Sequence, residues 1–375
     1  MYFDYAATTP VLEEIKDMAF DLLCKYENPS SAHLKSKGIK EEIEATRQKV
    51  AEFLNTTPEH IFFTSGATES NNTVIKGYYY KNKGIKQHHY CTSPIEHPSV
   101  LAPIMYLNRF DDFSYNYISL QNLLNPSSFE KEVLAKAPTF CSFMLANNET
   151  GTIFPIKEIA SVLNKHKTYL HVDATQAIGK IKVDAQKLGI DALSFSGHKM
   201  FAPKGIGVLY LKDPNSVTPL LHGGGQEKGV RCGTENVFAI LSLKIALQYF
   251  TDHIEQIETH YKRCKSYFLQ LLEVNKIDYT LNEENGLPNI ISIRFPMKGD
   301  AMADILNFKY GIMISVGSAC SENKNEKKLS HVLKNIGLED HEVQKTTRIS
   351  FGIKTALEDI DELVNNINNV LAVYH

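Results

Sequence analysis

The sequence predicts an α/β fold with a mostly parallel, seven-stranded sheet in a large domain, together with a smaller α+β domain. From about residue 60, short apolar runs alternate with stretches of helical periodicity, and this alternation is typical of parallel strands joined by crossover helices. Beyond about residue 275, strands and helices follow in a different order. The 375 residues, of which 43% are hydrophobic, suffice for two domains with cores of their own.

Apolar runs with turn residues between them mark the individual elements. Seven runs are predicted to be strands of the large domain: 61–64, 88–93, 113–118, 139–145, 169–174, 192–196 and 207–211. Helical periodicity covers 155–167 and a long segment from about 236 to 274. Two further strands, 289–295 and 348–352, and a last helix near 358–373 follow. We therefore expect a large domain over 13–255 and a small α+β domain formed by 1–12 and 256–375.

Charge and composition narrow the function classes. The net charge is −3 and the pI is about 6.5, so no basic nucleic-acid-binding surface is expected. No apolar run approaches the roughly 18 residues of a membrane span, and MYFDYAATTP does not resemble a signal peptide. We expect a cytoplasmic protein without direct membrane or nucleic-acid contact. The six cysteines form no CxxC pair, so no metal site is expected.

The segment FFTSGATESNN (62–72) combines a strand end, a turn at Gly66 and a helix start near Ala67. The first turn of a helix leaves backbone N–H groups without partners, and the helix dipole favours an anion there. Thr68 can add a hydroxyl group. The segment therefore suggests a phosphate site, although Ser65 or Thr68 could simply cap the helix.

Two charged residues follow neighbouring strands. Asp173 ends the run YLHVD, where a carboxylate is costly unless it is paired, although it could also cap a helix. Lys199 follows the run ALSFS, with Ser196 and His198 next to it, and a partly desolvated lysine can form a Schiff base with an aldehyde. Ligands of open α/β sheets gather at such strand ends. A phosphate site, a carboxylate and a lysine together match the needs of pyridoxal phosphate.

Four further residues are candidates for the chemistry. His97 lies between a strand and a helix and could stack on a ring, or be an ordinary structural histidine. Cys320 follows a run of small residues and precedes the charged segment 321–328, so its thiol is expected to be exposed. An exposed thiol is either reactive or an incidental surface group. Cys232 is the other thiol of interest. Arg348, in RISFG, could bind a carboxylate through two N–H groups or lie on the surface.

Ten motifs in order make the pattern specific. They are MYFDYAATTP, NPSSAH, TSGATESNN, EHPSV, ANNETG, HVDATQAIGK, SFSGHKMFAPKGIGVLY, HGGGQEKGVRCGTEN, SVGSACS and RISFG. Over essentially its whole length the sequence resembles the cysteine desulfurases, which belong to the class V aminotransferase-like pyridoxal-phosphate enzymes of fold type I.

The resemblance implies how the cofactor ring would be held. Lys199 would carry pyridoxal 5'-phosphate through its aldehyde, and Asp173 would pair with the pyridine nitrogen. Gln176 would bond the ring hydroxyl group. His97 would stack on the ring and, with Lys199 and Cys320, would belong to the catalytic residues.

The resemblance also implies a phosphate site and a subunit arrangement. The phosphate would be held by Ala67, Thr68, Ser196 and His198. Thr234 would reach the phosphate of the other subunit, because members of the family are homodimers with shared sites.

For the substrate, L-cysteine, the resemblance implies that Asn148 and Arg348 bind the carboxylate, with Asn148 also next to the cofactor. The thiolate of Cys320 would take the sulfur as a persulfide and leave L-alanine. The sulfur would pass to an acceptor protein, either an iron–sulfur scaffold or a tRNA-thiolation enzyme.

Two other functions fit the same fold. A selenocysteine lyase or a class V aminotransferase would keep Lys199 and Asp173 without needing Cys320. A non-catalytic module that binds a sulfur-transfer partner would retain the fold alone, and the intact lysine, aspartate and cysteine argue against it.

Overall fold

The computed structural model describes residues 1–84, 87–316 and 329–374, and their Cα positions group into two compact units. The large unit consists of Thr9–Leu145 and Phe154–Asp252, and the small unit of Met1–Thr8, Ala146–Ile153 and His253–His375. The segment Ala146–Ile153 belongs to the small unit, whereas the predicted division left it in the large domain. The predicted domain boundaries otherwise stay a prediction.

Two sheets account for the strands of the described residues. The seven of the large unit are β1 (Ile61–Thr64), β2 (His88–Thr92), β3 (Phe113–Tyr117), β4 (Phe140–Met144), β5 (Tyr169–Asp173), β6 (Ala192–Ser196) and β7 (Gly207–Leu211). The four of the small unit are β8 (Thr280–Leu281), β9 (Ile290–Arg294), β10 (Ser315–Val316) and β11 (Thr346–Ser350). The predicted strand β11 begins and ends two residues earlier than its sequence pattern indicates.

The large sheet has the strand order β1-β7-β6-β5-β4-β2-β3. The pairs β2–β3, β2–β4, β4–β5 and β5–β6 are parallel, and β7 is antiparallel to both β1 and β6. Two antiparallel steps leave β1 parallel to β6, so the carboxyl ends of β1, β6, β5 and β4 share one edge of the sheet. The predicted fold class is confirmed.

The helices connect these strands. They are α1 (Glu13–Asp17), α2 (Ala19–Leu23), α3 (Leu34–Phe53), α4 (Ala67–Asn82), α5 (Pro98–Leu107), α6 (Leu120–Leu123), α7 (Pro126–Lys136), α8 (Ile156–Lys165), α9 (Ala185–Leu188), α10 (Val237–Val274), α11 (Gly299–Tyr310), α12 (His331–Asn335), α13 (Asp340–Lys345) and α14 (Leu357–Tyr374). Among the helices of the described ranges, none has both the length and the apolar character that crossing a bilayer requires.

Apolar periodicity explains how the helices of the large unit cover its sheet. In α8 the buried side chains are Ile156, Ile159, Ala160, Val162 and Leu163, which is the spacing of one helix face. The strands β4, β6 and β7 are buried at every position, as expected for strands covered on both faces. The sheet is therefore a rigid support for the residues at its edge.

The small unit has a core of its own. Phe3 packs edge-on against Phe351, which also contacts Phe268 of α10, with ring centroids 6.2 and 6.3 Å apart. In the antiparallel sheet β10-β11-β9-β8, an isolated parallel bridge joins Asp4 to Ser350, the last residue of β11. The first residues of the chain are thereby tied to β11.

Candidate active site

The carboxyl edge of the large sheet places two predicted site residues on adjacent strands. Asp173 is the last residue of β5 and pairs in register with Ser194 of β6, two residues before Ser196. The side chains of Asp173 and Ser196 are buried, with 5% and 6% of their surface exposed. Because β1 ends at the same edge, the turn at Gly66 that follows it also lies there.

The start of α4 has the features of an anion site. Its N-cap, Gly66, has extended backbone, and no side chain caps the helix, so capping by Ser65 or Thr68 is not observed. A Cβ atom built on Gly66 would lie 3.7 Å from the hydroxyl oxygen of Ser196. Ala67 is buried and Thr68 is exposed. The uncapped N–H groups of the first turn and the Ser196 hydroxyl therefore border the same space.

Lys199 ends a single 3₁₀ turn, Gly197–Lys199, directly after β6. A second lysine supports this turn, since the buried Lys180 donates from Nζ to the backbone oxygen of Lys199 at 2.6 Å. Burial, with a smaller effect from the charge of Lys199, lowers the pKa of Lys180 to about 7. Burial and the charges of Lys199, Lys204 and Lys180 lower the pKa of His198 to about 4, so His198 is neutral at pH 7.

The carboxylate of Asp173 is held by two donors. Its Oδ1 accepts the backbone N–H of Thr175 at 3.0 Å, and its Oδ2 accepts from the side-chain amide of Asn71 at 2.8 Å. The residues after it form turns, and α9 begins only at Ala185, so the alternative that Asp173 caps a helix is wrong. Gln176, three residues later in the sequence, is also buried.

His97 is the N-cap of α5. Its Nδ1 accepts the backbone N–H of Ser99 at 3.1 Å, and Pro98 occupies the first helical position. The histidine therefore has a structural task, as the simpler alternative supposed. This task leaves Nε2 as the ring nitrogen not used by the cap. Thr234 is exposed in the glycine-rich segment before α10.

The predicted substrate residues lie in the small unit. Arg348 is buried, so it is not a surface arginine. Its Nη1 donates to the backbone oxygen of Asn148 at 2.7 Å, and its Nη2 pairs with Asp4 at 2.6 Å. Each Nη group has a second N–H, and the buried Nε has no hydrogen-bond partner among the described residues. Donors thus remain on the guanidinium group for a carboxylate.

The predicted reactive thiol, Cys320, lies outside the described residues. Of the other cysteines, Cys91, Cys141, Cys232 and Cys264 are buried, whereas Cys24 is exposed. Burial of Cys232 makes it a poor candidate for a second reactive thiol.

Sequence reasoning missed Asn71, Lys180 and Glu96 as polar residues of this edge. All three are buried. Burial raises the pKa of Glu96, whose carboxyl accepts from Ser93 and from the backbone of Met144, to about 8. Each of the three residues lies in one of the ten motifs named above. The signal that could have identified them is a polar residue among neighbours that are predicted to be buried.

Comparison with known proteins agrees with this geometry. The model of the family "Aminotransferase class-V" matches residues 1–363. The cysteine desulfurase IscS of Dictyoglomus turgidum is 35% identical over 376 residues, covering 99% of this chain and 94% of that protein.

Two solved structures share the fold. A NifS-like protein superposes with a TM-score of 0.91 at 32% identity, covering 100% of this chain and 99% of that one. SspA in complex with cysteine has a TM-score of 0.80 at 33% identity, covering 95% and 99%.

These relatives confirm the resemblance that the ten motifs indicated. Class V aminotransferases and cysteine desulfurases are families of pyridoxal-phosphate-dependent enzymes. The chain belongs to the class V aminotransferase family and, within it, to the cysteine desulfurases.

Proposed function

We propose that the protein converts L-cysteine to L-alanine and passes the sulfur, carried as a persulfide on Cys320, to an acceptor protein. One observation carries the proposal. The buried carboxylate of Asp173, the turn that bears Lys199 and the uncapped start of α4 at Ala67 all lie at the carboxyl edge of one sheet.

The residues at this edge fit pyridoxal phosphate in their chemistry. The space that a Cβ on Gly66 would enter is bordered by the Ser196 hydroxyl and suits a phosphate, which Ala67 and Thr68 would bind through backbone N–H groups. Asp173, fixed by two donors, suits a protonated ring nitrogen. We propose these residues, with Lys199, as the cofactor site.

The remaining cofactor contacts follow from the family resemblance. Gln176 is proposed to bond the ring hydroxyl and His97 to cover the ring. His198, neutral at pH 7, can give an N–H to the phosphate without adding a charge. Thr234 is proposed to reach the phosphate of the partner in a homodimer.

Pyridoxal phosphate, when bound, supplies an electron sink for the substrate carbon. The chain supplies the rest. Arg348 and Asn148 are proposed to hold the substrate carboxylate, and Lys199 to take the proton from Cα. The Cys320 thiolate attacks the substrate sulfur, so an S–S bond forms while the C–S bond breaks. The electron pair of that bond stays with the carbon skeleton, which gains a proton and leaves as alanine.

The sulfur acceptor is proposed only as one of two classes of protein, and the cellular compartment stays a prediction. We propose an iron–sulfur scaffold or a tRNA-thiolation enzyme as the acceptor, because either takes sulfur in this oxidation state. The cytoplasm remains the compartment predicted from the sequence.

The experiment uses two single substitutions. The wild type, C320S and C24S are reconstituted with pyridoxal phosphate, and alanine and sulfide are measured after addition of L-cysteine with a thiol reductant. Cys24 is the matched control because it is exposed. We expect C24S to behave as the wild type, and C320S to keep the cofactor absorbance but lose sulfide release. Full sulfide release by C320S would refute the assignment of Cys320.

A further inference from the structure

A chain of hydrogen bonds connects His97 to Asp173 inside the large unit. The side-chain amide nitrogen of Asn71 lies 2.8 Å from Oδ2 of Asp173 and 2.9 Å from the hydroxyl oxygen of Ser99. The Ser99 hydroxyl lies 2.8 Å from Nδ1 of His97. Asn71 is fully buried, and Ser99 and Asp173 are 7% and 5% exposed, so water does not compete with these bonds.

The chemistry of the groups gives every bond in the chain a direction. A carboxylate only accepts, so Asn71 must present its NH₂ group to Asp173. The second hydrogen of that group goes to Ser99. The Ser99 oxygen has a second lone pair, but the backbone N–H of Ser99 already points at Nδ1 of His97, so Nδ1 must accept and the hydroxyl hydrogen of Ser99 donates to it. The opposite orientation of the Asn71 amide would face its oxygen to a carboxylate and is repulsive.

The direction of the chain fixes the protonation of the imidazole. Nδ1 of His97 receives the Ser99 hydroxyl and, in addition, the backbone N–H of Ser99 at 3.1 Å. A nitrogen that accepts from two donors carries no hydrogen of its own. The proton of the neutral ring is therefore on Nε2.

We propose that Asn71 and Ser99 are positioning residues that hold His97 as the neutral Nε2–H tautomer and link it to Asp173. Proton exchange at His97 is then confined to Nε2, while Asn71 keeps the Asp173 carboxylate oriented. The tautomer follows from the hydrogen bonds alone. Its value for catalysis rests on the proposed function, which gives Asp173 and His97 their places around the cofactor.

The first test does not need the cofactor. Two-dimensional ¹H–¹⁵N NMR of the histidine rings in the cofactor-free full chain distinguishes the tautomers, and H97Q identifies the signals. We expect His97 as the Nε2–H form, with its Nδ1 signal shifted in S99A, where only the backbone donor remains, and unchanged in N72A. Asn72 is the matched control because its amide bonds the backbone of its own helix.

An Nδ1–H form, a mixture of tautomers, or an Nδ1 signal unmoved in S99A would overturn the proposal. The second test measures the dissociation constant for pyridoxal phosphate by absorbance titration. We expect N71A to weaken binding about tenfold, because Asp173 loses a charge-assisted hydrogen bond, and S99A to change it less than about twofold. Equal effects of the two variants would contradict the assigned division of roles.

The two proposals fail in different ways. A wild-type chain that binds no pyridoxal phosphate would refute the proposed function and leave the NMR result standing. A chain that binds the cofactor and desulfurates cysteine, but shows the other tautomer, would refute only the role of Asn71 and Ser99.

Discussion

A buried lysine beside the proposed cofactor lysine makes the stability of the protein depend on pH in a specific way. Lys180 is 2% exposed, and its pKa is lowered from 10.5 to about 7, chiefly by burial. The folded protein therefore binds this proton less tightly than the unfolded chain does. The stability that Lys180 contributes is present in full above about pH 10.5 and is lost as the pH falls to about 7.

The magnitude follows from the two pKa values. At about 1.4 kcal/mol per pH unit, the full difference between pH 7 and 10.5 is about 5 kcal/mol. The substitution K180M removes the titration while keeping a long apolar side chain. The free energy of unfolding of the wild type relative to K180M should therefore rise by about 2.5 kcal/mol between about pH 7.5 and 9.5.

The assay is urea unfolding of the cofactor-free wild type, K180M and K182M at several pH values across this interval. Lys182 is exposed and two residues away, so K182M should show no such slope. The hydrogen bond that K180M loses to Lys199 adds an offset that does not vary with pH. A difference between wild type and K180M that stays constant with pH would refute the conclusion that Lys180 is desolvated in the fold.

Three other changes test separate features by the same kinds of measurement. E227Q breaks the buried ion pair between Arg47 Nη1 and Glu227 Oε2, which are 2.7 Å apart, and should lower the free energy of unfolding in urea by about 3–5 kcal/mol. E258Q, in the more exposed pair with Lys262, should lower it by less than about 0.5 kcal/mol. Equal losses would contradict the difference in burial. E96Q removes a carboxyl group whose pKa is raised to about 8, so the wild type should lose stability relative to E96Q, by about 1.4 kcal/mol per pH unit, as the pH rises from about 4.5 to 8. A difference that stays constant over this interval would show that Glu96 is ionised in the folded protein. G66A should destabilise the cofactor-free chain by less than about 1 kcal/mol, because the backbone of Gly66 is extended. It should weaken pyridoxal phosphate binding at least about tenfold in a fluorescence titration, because the added Cβ enters the proposed phosphate space. Unchanged binding would place the phosphate elsewhere.

Most strands of the large sheet were predictable because they are short runs rich in apolar residues between turn residues. The bounds of β1, β6 and β7 agree with the sequence pattern to the residue. In such strands burial on both faces makes most of the run apolar, so the pattern has clear ends. The order of the strands, and the two antiparallel pairs of β7, required the structure.

The support of the candidate site could not be predicted, because its bonds join distant parts of the chain. Asn71 and Asp173 are 102 residues apart, and Arg47 and Glu227 are 180 apart. Periodicity and local motifs report on neighbours within a helix or strand, whereas these pairings depend on how α3, α4 and β5 pack. The residues expected to touch the cofactor were found from motifs, and the residues that hold them in place were not.

The most direct test of the proposed cofactor site is to find which lysine binds pyridoxal phosphate. Lys199 and Lys180 lie next to each other, and Lys180 has the lowered pKa, so both amines are plausible nucleophiles. The protein is incubated with pyridoxal phosphate, treated with sodium borohydride to make the attachment permanent, and mapped by peptide mass spectrometry. We expect the label on Lys199 alone. A label on Lys180, or no label on either lysine, would contradict the proposed site.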